Sequence, residues 1–439
     1  MEKDIGTQLV EFAVNTKYED IPKETLEFTK CLTLKTVAGM LAGSRKPSGQ
    51  KMAGVIRDRR LPEEVGVMGS GFKTSLWEGL FLNAYFAHAS ELEDDRWLEG
   101  VSWDITVIPL LLSLAEKLEL SGKALIEALV LGLEVHTRTC LFDAWHLGLN
   151  LVPGAVGPAV GAAKALNLDV NETAAAVGLA MSGVPLSMVN LGTDAHYFES
   201  ALMSLQGMIA AEMANVGLRG NPDIATYLTD YLGKEYVAPD KMVEDLGKRW
   251  VLREIQVKKY PCCIILHRHI DLVIELKKKH NLPYGDIEVI EVLTSGRGEE
   301  LVNRPEPKDE NDLQFSFQNA LAAAMLDGDA NLQHFTPDAV VDARLRQARS
   351  RVKLVMQADN LSADLSDAVS DARDTPARIV IKTKDGREFS GEKTYALGHP
   401  EDPLTLEQFR ELYSKFTRGI LSEKDLSVTA EMILNLEVL

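Results

Sequence analysis

Residues 378–390 read Arg378-Ile379-Val380-Ile381-Lys382-Thr383-Lys384-Asp385-Gly386-Arg387-Glu388-Phe389-Ser390, and this stretch decides the fold. From Arg378 to Thr383 apolar and polar side chains alternate with a period of two, which turns one face of a strand inward. Asp385-Gly386 supplies the positive φ of a tight turn, and Arg387 to Ser390 returns as the second strand of a hairpin. Working outward, Glu288–Leu293, Arg351–Met356 and Arg253–Lys258 alternate in the same way. Helical spacing lies between them, at Cys263–Lys279 and Phe315–Leu326, so the region after residue 250 is predicted to be α+β.

The chain before residue 250 reads almost entirely as helix. Apolar side chains recur at helical spacing over Leu26–Leu41, Leu76–Ala87, Ile105–Leu118, Ala124–Val135 and Glu172–Met181, with strand signals nearly absent. Gly154, Gly157, Gly161, Ala162 and Ala163 form a stripe of small residues, and Ala174–Ala176 belong to another; tight helix packing accounts for them. After the α+β region, Thr405-Leu406-Glu407-Gln408 is a capping box before Phe409–Phe416, and a last helix starts near Ser422. Asp359–Thr375 is polar and Asp-rich and reads as a surface loop or short helix.

With 439 residues the chain exceeds one compact core and fits about two domains. A composition of 46% apolar and 26% charged residues supports a large core. The net charge of −18 argues against nucleic acid as a partner, yet leaves room for an anionic small molecule in a local cationic pocket. The start, Met1-Glu2-Lys3-Asp4, lacks the basic-then-apolar form of a secretory leader, and the longest apolar run, Thr106–Ala115, is shorter than the roughly 18 residues of a membrane span. With Cys31, Cys140 and the adjacent Cys262 and Cys263 read as reduced thiols, a cytoplasmic protein that does not enter a membrane is expected.

Five stretches together resemble the MmgE/PrpD family. They are His88-Ala89-Ser90-Glu91-Leu92-Glu93-Asp94-Asp95; Pro153 to Leu166; Gly192 to Gly217; Lys258-Lys259-Tyr260-Pro261-Cys262-Cys263 running on to His267 and Asp271; and Phe315-Ser316 running on to Asp327-Gly328-Asp329. The resemblance implies a mainly α fold. A large all-helical domain, 1–256 with 399–439, would be built from both chain ends, and a smaller inserted α+β lid domain would span 257–398. It also implies a homodimer, a site in the crevice between domains, and no metal or organic cofactor. The implied reaction takes or shifts a proton next to a carboxylate of a small polycarboxylic acid, by dehydration, decarboxylation or epimerisation.

Such a proton is weakly acidic. Its removal needs a base poised near neutral pH and cationic or donor groups for the developing enediolate. The family's His-x-x-Asp-x-Asp-Asp motif falls on His88, Glu91, Glu93 and Asp94, which makes Glu91 the candidate carboxylate. Lys258 matches the family lysine and is expected to bind the anion. Elsewhere the chain departs from the family. Ser102-Trp103-Asp104 stands at the His-Pro-Ser segment, Leu151 at a second histidine, His196 near a lysine, Cys263 at a lid histidine and Asn319 at a tyrosine.

Those departures set the remaining expectations. His196, three residues from Glu199 on a helix, is the relocated base, with Glu91 or Asp104 as its partner; a surface His–Glu pair is the plainer reading of the same spacing. Asp104 equally suits an N-cap or turn before Ile105. Cys263, His267 and Asp271 fall at i, i+4 and i+8 on one helical face and could form a nucleophile constellation, or a buried Cys beside a His–Asp pair. Ser102 and Asn319 are expected to touch substrate along with Lys258. His267-x-His269 is not expected to bind metal, because on a helix the two rings point apart. The function expected is a cofactor-independent lyase or isomerase on a small carboxylic acid other than the usual tricarboxylates. The rival is a catalytically inactive homologue that binds a ligand or partner.

Overall fold

The computed structural model describes residues 4–96, 101–102, 104–140, 149–150, 154–183, 186–187, 190–294, 301–356 and 376–439. The chain is mostly helical with a small sheet region. It divides into two compact units: Met1–Asn190, Ala195–Ile255 and Thr405–Leu439 form the first, and Leu191–Asp194 with Gln256–Leu404 the second.

In the first unit the helices are α1 (Ile5–Asn15), α2 (Lys23–Gly43), α3 (Pro47–Asp58), α4 (Leu76–Ala89), α5 (Asp104–Leu118), α6 (Gly122–Thr139), α7 (Val156–Ala165), α8 (Val170–Ala180), α9 (Asp194–Asn215), α10 (Ile224–Leu232) and α11 (Pro239–Val243). Helix α2 is buried from Thr29 to Gly43 on every side because α4, α5 and α6 surround it together with the last two helices of the chain. The close α2–α4 crossing rests on glycine: a Cβ on Gly43 would run into the backbone of Phe86. The stripe of small residues in α7 has the same role against α6. Gly132 lies opposite Gly161, and Gly157 lies under the ring of His136.

The same unit carries three short ribbons where strands were not expected. They are β1 (Val65–Val67) with β2 (Phe72–Thr74), β3 (Asp95–Arg96) with β4 (Val101–Ser102), and β5 (Leu149–Asn150) with β6 (Leu186–Ser187). Strands of two or three residues are too short to show a period in sequence.

The second unit is built on a four-stranded sheet. Its strands β7 (Ile287–Thr294), β8 (Val352–Met356), β9 (Ala377–Thr383) and β10 (Glu388–Lys393) are ordered β10-β9-β7-β8, with β7 and β8 parallel and the other pairs antiparallel. The hairpin read from residues 378–390 is present, with Lys382 opposite Glu388 and Gly386 at φ +84°. Among the described residues five helices accompany the sheet: α12 (His267–His280), α13 (Glu310–Gln314), α14 (Phe317–Asp327), α15 (Pro337–Val341) and α16 (Ala343–Arg349). Of these, α12 covers β9 and β10 while α14 lies on β8.

Arg253–Lys258 is not a strand. Val251–Arg253 forms a 3-10 turn, and Ile255, Gln256, Val257 and Lys258 are all buried. The alternation read there came from a chain enclosed on both sides, not from a sheet surface. The predicted Asp359–Thr375 loop lies outside the described residues.

The chain ends with α17 (Leu406–Thr417) and α18 (Glu423–Leu434), both packed on α2. The Thr405 capping box is formed: Thr405 Oγ1 accepts from Gln408 N at 3.3 Å, and Gln408 Oε1 accepts from Thr405 N at 2.8 Å. Ser422 caps α18 through Asp425 N.

Two consequences can be measured. A Gly157→Ala methyl would overlap the His136 side chain, so this variant should lose about 1–3 kcal/mol in urea unfolding. Burial of His136 pushes its pKa from 6.5 down to about 3. The unfolded chain therefore binds a proton there that the folded chain refuses, and stability falls as pH drops through that window. A His136→Gln variant should flatten the slope of unfolding free energy against pH across it.

Candidate active site

The site starts where α4 ends. His88 occupies its last turn and is 1% exposed. Ser90 closes the helix by donating its hydroxyl to Ala87 O at 2.8 Å, and Glu91 turns the chain with φ +54°. A left-handed glutamate costs of order 1–3 kcal/mol and persists only where its surroundings over-determine it. The surroundings here are ionic. Glu91, Glu93, Asp94 and Asp95 are all buried, and Lys35, from the middle of α2, donates to both Leu92 O and the Asp94 carboxylate. Asp104, fully buried at the start of α5, accepts from Asp94 N at 2.9 Å and from the Thr36 hydroxyl at 2.8 Å. Burial raises the Asp104 pKa, while Lys35 pulls it down. The Ser102 hydroxyl donates to Asp95.

Helix α9 brings the second half. His196, Glu199 and Ser200 share one face, all buried. The rings of His88 and His196 meet edge to face at 4.3 Å between centroids, and Tyr197 packs against both. One donor atom from each of His88, Glu91 and His196 lies within 4.8 Å of the others. Ser200 Oγ lies 2.9 Å from His88 Nδ1 and 3.0 Å from Tyr197 O, so this hydroxyl ties the ring of His88 to the backbone of α9. Glu199 Oε2 stands 3.8 Å from His196 Nδ1, and its other oxygen accepts from the Asn190 amide.

The expected site residues divide on this geometry. His196 and Glu91 come together, and His88, the first residue of the acidic motif, joins them. The signal that could have found it was His88 three residues before Glu91 at a helix end. Asp104 and Ser102 do not reach this trio through their recorded bonds. They tie the acidic turn instead, which agrees with the plainer turn reading of Asp104.

In the second unit, Cys263, His267 and Asp271 do not share one helical face. Ile264–Leu266 is a 3-10 turn with Cys263 as its cap, and α12 begins only at His267. His267 Nε2 lies 3.2 Å from Cys262 O. Asp271 accepts from Tyr260 at 2.6 Å, Lys259 at 3.0 Å and Leu397 N at 3.0 Å, so its carboxylate serves those donors and not His267. Asn319 is also taken up internally: its amide donates to His334 O at 2.9 Å and accepts from Arg349 at 3.2 Å. Its position suits packing and leaves the expected substrate contact without support. Lys258 is buried, at 1% exposure. Trp103, Leu151 and His146 lie outside the described residues.

Two family models match. The MmgE/PrpD N-terminal domain covers residues 7–229 and the MmgE/PrpD C-terminal domain residues 260–438. The chain belongs to the MmgE/PrpD family. Among similar proteins, the cis-aconitate decarboxylase of Homo sapiens is 26% identical over 81% of this chain and 76% of its own length. The cis-aconitate decarboxylase-like protein oryM of Aspergillus oryzae is 23% identical over 99% of this chain and 95% of its own.

The buried lysine can be tested directly. Lys35→Met keeps most of the stem but leaves the Asp94 carboxylate buried without its lysine. Loss of about 3–5 kcal/mol in chemical unfolding is expected. A loss under 1 kcal/mol would show that other contacts hold the turn.

Proposed function

We propose that this chain is a lyase that takes a proton from the carbon next to a carboxylate of a small carboxylic acid. The observation that carries this reading is the convergence of His88, Glu91 and His196 in one buried place. The relatives named cis-aconitate decarboxylase support the lyase class and a carboxylic-acid substrate. The residues that replace the family's histidines and tyrosine favour a substrate other than the usual tricarboxylates.

In this reading His196 is the base, with Glu199 beside its Nδ1 to orient the ring. As the C–H bond breaks, its proton passes to His196 and its electron pair moves into the neighbouring carboxylate as an enediolate. Loss of a β-hydroxyl from that species, with a proton relayed to it so that it leaves as water, completes the turnover. Glu91 and His88 stand close enough to relay the proton. Acid–base groups alone meet these demands, without an organic cofactor. Lys258 is retained on sequence grounds as the partner of the substrate anion, and a homodimer as the assembly.

The test is incubation in D2O with a panel of small di-, tri-, imino- and hydroxy-carboxylic acids, followed by proton NMR. Loss of an α-proton signal or growth of an olefinic one is expected for at least one acid. His196→Ala should then lower the rate by roughly 10²–10⁴ with an unchanged circular dichroism spectrum. Unchanged turnover in that variant would remove His196 from the mechanism, and a silent panel would count against the lyase reading.

A further inference from the structure

Two histidines and a carboxylate converging in a buried place constitute more than a base and its relay. We propose that His88, Glu91 and His196 form a three-ligand site for a divalent transition metal of the zinc class, and that occupancy switches the proton-transfer trio off. The binding stands on the geometry alone; only the switching rests on the function proposed above.

Donor chemistry selects the metal. Two imidazoles with one carboxylate suit zinc, cobalt and similar borderline ions, with a fourth position open to water or to a substrate oxygen. Magnesium and calcium prefer sets made of oxygen, so they fit poorly. The distances are within reach. The three donor atoms lie within 4.8 Å of one another, while ligand atoms on a tetrahedral zinc sit roughly 3.3 Å apart at bond lengths of about 2.0–2.1 Å. Small rotations of three side chains would close that difference.

The surrounding bonds are those that ligating histidines use. A ring nitrogen that binds metal is oriented by a hydrogen bond at the other nitrogen. His88 has a partner of this kind, the Ser200 hydroxyl 2.9 Å from Nδ1. His196 has Glu199 at 3.8 Å from Nδ1, and Asn190 holds that carboxylate from behind. The backbone fixes the third ligand, since the left-handed turn at Glu91 follows directly on the helix that carries His88. A metal on these nitrogens would engage the lone pairs that proton transfer needs. The loaded protein would then be unable to accept the substrate proton.

The experiment uses the full chain, stripped with EDTA and titrated with Co2+. A visible absorption band that saturates at one equivalent and is bleached by Zn2+ is expected. His88→Ala and His196→Ala should abolish it, His280→Ala should leave it intact, and Ser200→Ala should weaken Co2+ binding by roughly 10–100-fold. Absence of a band, or a band that survives both histidine variants, would overturn the site. Should those variants fail to fold, X-ray absorption of the zinc-loaded native chain decides, because fewer than two imidazoles at the metal would also overturn it. Zn2+ should further suppress the deuterium exchange seen in the EDTA-treated protein. Exchange unaffected by bound metal would sink the switch alone, whereas no exchange in the metal-free protein would count against the proposed reaction and leave the binding result standing.

Discussion

The ion pair between Lys35 and Asp94 is the constraint on which the first unit depends. Both side chains are fully buried, so each has lost its hydration, and the pair is tolerable only because further bonds complete it. Lys35 also binds Leu92 O, while Asp104 takes the Asp94 amide and the Thr36 hydroxyl. These bonds join α2, the acidic turn and the start of α5. Removing any one member would leave a polar group in a place that water does not reach. That is why a turn with four buried carboxylates can exist at all, and why Glu91 can be held left-handed between two helices.

The consequence for the site is a division of labour along one short segment. Asp94, Asp95 and Asp104 are consumed in holding the turn, and Ser102 goes with them. Glu91 and His88, at the other end, lie beside His196 of α9. Sequence spacing alone does not separate these roles, because both sets belong to one acidic run. The separation comes from Lys35, 59 positions before Asp94, which selects the carboxylate it pairs with.

That explains what was legible in the sequence and what was not. Long periodic helices such as α2, α4 and α5, and the 378–390 hairpin, follow from local spacing and turn chemistry, and they stand as read. Arg253–Lys258 misled because enclosure on both sides mimics alternation, and the ribbons escaped because two residues carry no period. At the site, His196 and Glu91 were named through their alignment with family positions, and the structure brings them together with His88. His88 was passed over although it stands three residues before Glu91 at a helix end. Its partner Ser200 lies 112 positions away, and only the fold brings the two together. Cys263, His267 and Asp271 failed for the converse reason: a spacing that fits one helix has no meaning when the helix begins four residues late.

The chemistry of the trio follows from its burial. In water a histidine, a second histidine and a glutamate would each be solvated and largely indifferent to the others. Here both histidines pack against Tyr197 and all three residues converge, so a cation bound among them would be shared. A proton is one such cation and a transition metal is another, and the two compete for the same lone pairs. On the proposed reading, the imidazole of His196 that serves as the base is also one of the groups that would bind the metal.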